Sequence, residues 1–175
     1  DVTIYDAFRE SRGDVSELFT VGADGNRARE MRFAVEMLIA QSVADELGNE
    51  AEVTSTRLRY ELVIESRAEN GFERLYVKHE ALNAISEDED PWVKHNIPSG
   101  VRKQWIVRAR RAPYISTVTD TEGNRRFIQR HQDKRSGAKQ STPVGRLERT
   151  ILSLTNSAEY PTAYAARQEM LNWRF

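Results

Sequence analysis

Apolar and polar positions alternate with a period of two in three stretches of the chain. In "MRFAVEMLI", Met31, Phe33, Val35, Met37 and Ile39 are apolar, with Arg32 and Glu36 between them. In "TRLRYELVIES", Leu58, Tyr60, Leu62 and Ile64 oppose Arg57, Arg59 and Glu61. In "RLYVKHEAL", Leu75, Val77 and His79 fall on one face. Such alternation predicts half-buried β-strands. Between the last two stands Asn70-Gly71, a pair suited to the tight turn of a β-hairpin. A second hairpin is predicted over "YISTVTDTEGNRRFIQR", with its turn at Glu122-Gly123-Asn124. "ADELGNEAE" reads as a polar connection, and the pattern of "KQWIVRARRAPY" leaves helix and strand both open.

Helical signals gather at the two ends. Ile4, Tyr5, Ala7 and Phe8 can share one face, and Asp14 with Glu17 three residues on forms a capping-box arrangement. Leu18 and Phe19 are expected to pack inward. Near the other end, Thr142 suits an N-cap and Pro143 a first helical position. Leu147, Ile151 and Leu154 follow at helical spacing. Pro161 then opens a last helix whose apolar side is expected to hold Tyr164, Met170, Leu171 and Trp173.

The expected fold is therefore α+β. An antiparallel sheet, with hairpins near 57–82 and 114–130, is flanked by N-terminal and C-terminal helices. The 175 residues form a single domain or domain fragment. Its β-rich lobe covers about 28–131, an acidic, proline-containing insertion loop about 86–104, and C-terminal helices about 143–175. A chain of this length can bury roughly 70% of its unfolded surface. No apolar run approaches the ~20 residues of a membrane span. The absence of cysteine excludes disulfides, thiolate metal sites and cysteine nucleophiles. A cytoplasmic setting is expected.

Charge changes this picture. The net charge of -1 conceals two unlike halves: residues 1–90 carry -11 and residues 102–149 carry +9. The halves either neutralise each other within the fold or leave a basic surface for nucleic acid or an acidic partner. Arg125, Arg126, Arg130, Lys134, Arg135 and Lys139 form the densest basic cluster, and Arg108, Arg110 and Arg111 a smaller one. Such residues contact phosphates without reading sequence, or simply solvate a sheet face.

"RSGAKQSTPVG" invites comparison with a phosphate-binding loop but fails in register. With Gly137 as the second glycine of G-x-x-x-x-G-K-[ST], the first would fall at Gln132 and the lysine at Ala138. Lys139 comes one place late, and Gln140 separates it from Ser141. His79, His95 and His131 lack the spacing of a metal pair, and Glu87-Asp88-Glu89-Asp90 lacks the pattern of a calcium loop. No serine sits in a G-x-S-x-G elbow. No catalytic, cofactor-binding or metal residue is assigned within the chain.

Three longer stretches resemble one family. "TRLRYELVIESRAENGFERLYVKHEAL", "YISTVTDTEGNRRFIQRHQD" and "LERTILSLTNSAEYPTAYAARQEMLNWRF" are similar in pattern and order to the β-rich lobe of AAA-type predicted ATPases related to the SMC, RecF and OLD proteins, whose heads are of the ABC type. "DVTIYDAFRESRGDVSELF" looks like the segment just beyond that family's Walker A helix. The resemblance implies an internal segment of a longer protein, with Walker A before Asp1 and the signature, Walker B and switch histidine after Phe175. The lack of an initial Met and the apolar pattern running into Phe175 agree with that expectation. By the same resemblance the parent protein would bind ATP and Mg²⁺, dimerise its heads and act on DNA in repair or defence. The partners implied are the remainder of the ATPase head, a second head and DNA, with no membrane. The alternative is a non-enzymatic nucleic-acid-binding or protein-interaction module that uses the basic 102–149 half.

Overall fold

The computed structural model describes residues 3–8, 14–108, 110–121, 123, 125–134 and 139–173. Among these residues, six antiparallel strands form the main sheet. They are β1 (Glu30–Leu38), β4 (Arg57–Glu69), β5 (Phe72–Ala84), β6 (Ile115–Thr119), β7 (Arg126–His131) and β8 (Lys139–Pro143), side by side in that order. Two short strands, β2 (Ser42–Ala44) and β3 (Glu50–Glu52), pair as a separate hairpin. Its turn falls in the stretch that reads as a mere connection, with Gly48 at φ +80°. Among the described residues, four helices complete the fold: α1 (Ile4–Phe8), α2 (Pro91–Asn96), α3 (Ser99–Trp105) and α4 (Pro161–Asn172). This is the α+β, antiparallel architecture that the alternation predicts.

The β4–β5 hairpin is its spine. Asn70 (φ 52°) and Gly71 (φ 81°) both take positive φ, as a two-residue turn matched to strand twist requires. Val63 lies opposite His79, but Ile64 lies opposite Val77, so Lys78 is a bulge. One extra residue reverses the facing of all that follows it. Leu75 and Val77 face the core before the bulge, and Glu80 and Leu82 face it afterwards. His79 therefore leaves the face it was expected to share with Leu75 and Val77. It is part-exposed, 3.9 Å from Glu61.

The core lies against one face of the sheet. Leu58, Leu82, Ile115 and Ile128 are fully buried there. Ile4, Val15, Phe19, Ile151 and Leu152 close over them, together with the start of α4. Phe19 packs inward as expected, and Leu18 lies half-buried against the core. The buried part of α4 is its first half. Pro161 through Ala166 are all buried, while Leu171, expected on the apolar side, is exposed.

The helix expected from Thr142 does not form. Residues 139–143 pair with β7 as the edge strand β8. The amide of Val144 donates to the Arg126 carbonyl (2.9 Å). In the alternation of an antiparallel ladder, the neighbouring Phe127–Pro143 pair is then non-hydrogen-bonded. Pro143 thus lacks an N–H only where that group would point away from the sheet, the position an edge strand tolerates. Beyond it the chain runs without regular structure, with the Leu147 carbonyl accepting from Val77 N–H (2.8 Å), to a short 3₁₀ turn at Leu152–Leu154.

The acidic insertion is folded and not a plain loop. A 3₁₀ turn at Glu87–Glu89 leads into α2 and α3. Asp90 caps α2, its carboxylate accepting from Trp92 N–H (3.0 Å) and Val93 N–H (3.2 Å).

Candidate functional site

The basic cluster divides into one internally bonded arginine and a set of exposed side chains. Along β7, alternation sets Arg126 and Arg130 on the side of buried Ile128, and Phe127, Gln129 and His131 on the other. Arg130 is used internally. Its guanidinium donates to the Leu154 carbonyl (2.7 Å) and to the Gln140 side-chain oxygen, and lies 4.8 Å from the centre of the Tyr160 ring. It joins β7 to the turn before α4, so it is a structural residue first. Arg125, Arg126, Lys134 and Lys139 are exposed, with Lys139 opposite His131 on β8. Arg135, and with it the Ser136–Ala138 part of the loop that resembles a phosphate cradle, lies outside the described residues.

The smaller group divides in the same way. Arg110 donates to the backbone carbonyls of Ala112 (3.2 Å), Pro113 (3.2 Å) and Gln132, and stacks 5.2 Å from the Tyr114 ring centre. Arg108 donates to Ser86 Oγ (2.8 Å), and Arg111 is exposed. His131 is held below its ordinary pKa by partial burial and by Arg110 and Lys139 nearby, and its Nε2 lies 3.1 Å from Ser116 Oγ.

Three acidic groups carry interior contacts that the sequence does not single out: Glu80 and Asp90 are buried and Asp133 is part-buried. Glu80 is fully buried. Its carboxylate accepts from Ile151 N–H (2.6 Å), Leu152 N–H (2.8 Å) and Tyr60 O–H (3.1 Å). Burial raises its pKa to about 7, against the lowering effect of those three donors. On its backbone side, Thr117 Oγ1 accepts from the Glu80 N–H and donates to the Glu80 carbonyl, both at 2.9 Å.

Asp133 closes the start of α4. Its Oδ2 accepts from Thr162 Oγ1 (2.5 Å), Thr162 N–H (3.2 Å) and Thr54 Oγ1 (3.1 Å). Thr54 in turn contacts Tyr114 Oη (2.8 Å), which donates to Ser55 Oγ (2.7 Å). Burial raises the Asp133 pKa. Asp90 is the third, paired in the interior with Arg57 (2.6 Å). Arg57 also reaches Glu36 (2.7 Å) and lies 4.9 Å from the centre of the Trp92 ring. Glu80 and Asp133 hold distant segments in place, the turn at 151–152 and the start of α4, and Asp90 ties α2, which it caps, to Arg57 on β4.

Two open depressions of the surface mix both signs of charge. One of about 640 Å³ is bordered by Arg27, Arg29 and Arg67 together with Glu65 and Glu73. Another, of about 530 Å³, lies between α1 and the β4–β5 turn, with Asp14, Glu73, Arg74 and Glu148 around it. Among the described residues no group of three or more His, Asp or Glu side chains is placed to hold a metal ion. Among them, too, no helix is long and apolar enough to cross a membrane. No family model matches the chain, and neither a curated protein nor a solved structure matches it.

Proposed function

We propose that the chain is the β-rich lobe, with its closing helix, of an SMC/RecF-like ATPase head that acts on DNA. One observation supports this reading beyond the resemblance itself. The three stretches that carry the resemblance fold onto one another: the first is the β4–β5 hairpin, the second the β6–β7 hairpin, and the third the turn at 151–152 with α4. Glu80 and Asp133 tie the third stretch to the first two. A lobe of this kind supplies a rigid antiparallel surface, while ATP and Mg²⁺ would be held by the remainder of the head. Phosphoryl transfer needs a phosphate cradle and metal-binding carboxylates around the γ-phosphate, so the lobe alone is expected to be inactive.

The test is the coding sequence on either side of these residues. The proposal requires a G-x-x-x-x-G-K-[ST] motif upstream and a hydrophobic strand ending in acidic residues downstream. It also requires ATP hydrolysis by the complete product and none by residues 1–175 alone. Flanks lacking both motifs would overturn it.

The exposure of Arg125, Arg126, Lys134 and Lys139 favours a second reading, a non-enzymatic module that docks on nucleic acid. A salt titration of duplex DNA binding separates the two. The module requires affinity that falls steeply with salt and is lost in an Arg125→Ala, Arg126→Ala double variant.

A further inference from the structure

We infer that strand β1 is an interface between two copies of this chain, which join edge to edge into one continuous sheet. This goes beyond the function proposed above and does not depend on it. β1 is an outer strand: among the described residues only β4 pairs with it. It is nine residues long, free of proline, and paired with β4 without a register break. Natural proteins usually blunt such an edge. The opposite edge is blunted here, since β8 has five residues and ends at Pro143.

The free hydrogen-bonding groups of β1 can be identified. Ser66 N–H donates to the Arg29 carbonyl (2.9 Å) and Ile39 N–H to the Thr56 carbonyl (2.8 Å), so the odd-numbered residues of β1 are those bonded to β4. By the alternation of an antiparallel ladder, the N–H and C=O groups of Arg32, Ala34 and Glu36 point outward. A second β1 related by a two-fold axis must pair even residues with even residues.

Charge then selects among the registers. With the axis at Ala34, Arg32 lies opposite the partner's Glu36 and Glu36 opposite the partner's Arg32. With the axis at Phe33, Glu30 would face the partner's Glu36 twice. With the axis at Val35, no opposite charges meet. The Ala34 register also sets Phe33 beside the partner's Val35 on the core side, in a closely spaced non-hydrogen-bonded pair. Phe33 is 43% exposed in the single chain. Arg32 is 75% exposed and, among the described residues, forms an ion pair only with Glu30 (2.8 Å), while Glu36 is already held by Arg57 and Arg59. The dimer thus extends a charge ladder that the strand has begun.

Sedimentation equilibrium on the purified chain tests this. The expected result is a dimer that dissociates on dilution. Ala34→Pro removes an N–H that β4 does not use, so the variant should keep its circular dichroism and lose the dimer. Arg32→Glu turns two attractive pairs into repulsive ones and should raise the dissociation constant roughly tenfold. Register is read by crosslinking. The chain has no cysteine, so Phe33→Cys, Ala34→Cys and Val35→Cys each introduce one thiol, and a short bismaleimide should link the Ala34 variant most readily. Monomer at every concentration, a dimer indifferent to Ala34→Pro, or linkage no better at 34 than at 33 and 35 would overturn the inference. Slow hydrogen exchange at Arg32, Ala34 and Glu36 in a monomeric complete protein would do so too, because the edge would then be covered by its own polypeptide.

Discussion

Replacing Glu80 by Gln keeps the size and shape of the side chain and removes its charge. The wild-type carboxyl is fully buried, with its pKa raised from an ordinary 4.5 to about 7. Between those values the folded protein keeps a proton that the unfolded chain has released, so folding stability falls as pH rises through this window. Each pKa unit is worth about 1.4 kcal/mol, so the loss attributable to Glu80 is about 3 kcal/mol, complete slightly above pH 7. The Gln variant lacks this dependence. It carries instead a fixed penalty of about 1–3 kcal/mol, because its amide N–H₂ must face one of the donors that the carboxylate now satisfies. The measurement is urea unfolding of both proteins at pH 5, 6, 7 and 8. Asp133 contributes in the same direction as Glu80, and Glu30, held below its ordinary value first by Lys78, contributes in the opposite one. Both are common to the two proteins and cancel in the difference. The stability of wild type relative to the variant should therefore decline from pH 5 to pH 8 and level off. Two parallel curves would refute the assignment of a buried, proton-retaining carboxyl to Glu80.

Asp90→Ala should destabilise the fold by about 3–5 kcal/mol in chemical denaturation, since it leaves the buried Arg57 without its interior partner and α2 without its cap. Gly71→Ala should cost about 1 kcal/mol in the same assay. The added Cβ would meet nothing within 4 Å, so the cost isolates the φ of +81°. Arg130→Ala should lower stability by about 1–3 kcal/mol through its lost bond to Leu154 and its stacking on Tyr160, whereas Arg125→Ala should stay within about 0.5 kcal/mol of wild type. Equal effects at the two arginines would contradict the division of the basic cluster.

Local signals carried the sheet. Asn70-Gly71 dictates its own turn, and the alternation over 31–39 and 57–64 needs only neighbours on either side. Pro161 likewise marks the start of α4 by its fixed φ. The failures share one physical origin: they are decided by residues far along the chain. Leu147, Ile151 and Leu154 have helical spacing, but β7 recruits residues 139–143 as a strand and Glu80 captures the amides of Ile151 and Leu152. The bulge at Lys78 has no mark in the sequence, and it alone turns Glu80 inward. Asp90 did carry a signal, since an Asp directly before Pro91 suits a helix cap. The basic cluster looked continuous because the sequence is linear. Arg126 and Arg130 share one side of β7, but only Arg130 meets the Leu154 carbonyl and the Tyr160 ring, partners that lie far along the chain, and it is structural.

The way α4 is fastened bears on the order of folding. Thr162 receives the amide of Thr54, 108 positions earlier, and donates to Asp133, 29 positions earlier. Contacts across such separations form only after costly loop closure, whereas the β4–β5 hairpin closes over two residues. The hairpins are therefore expected to assemble first, and the core to remain unsealed until the turn at Leu152–Leu154 and α4 are in place. During synthesis, Leu58, Leu82 and Ile128 would face solvent or a chaperone until α4 has left the ribosome. A nascent chain stopped before Pro161 should accordingly be a protease-sensitive intermediate, and the closing helix would act as the step that commits the molecule to its folded state.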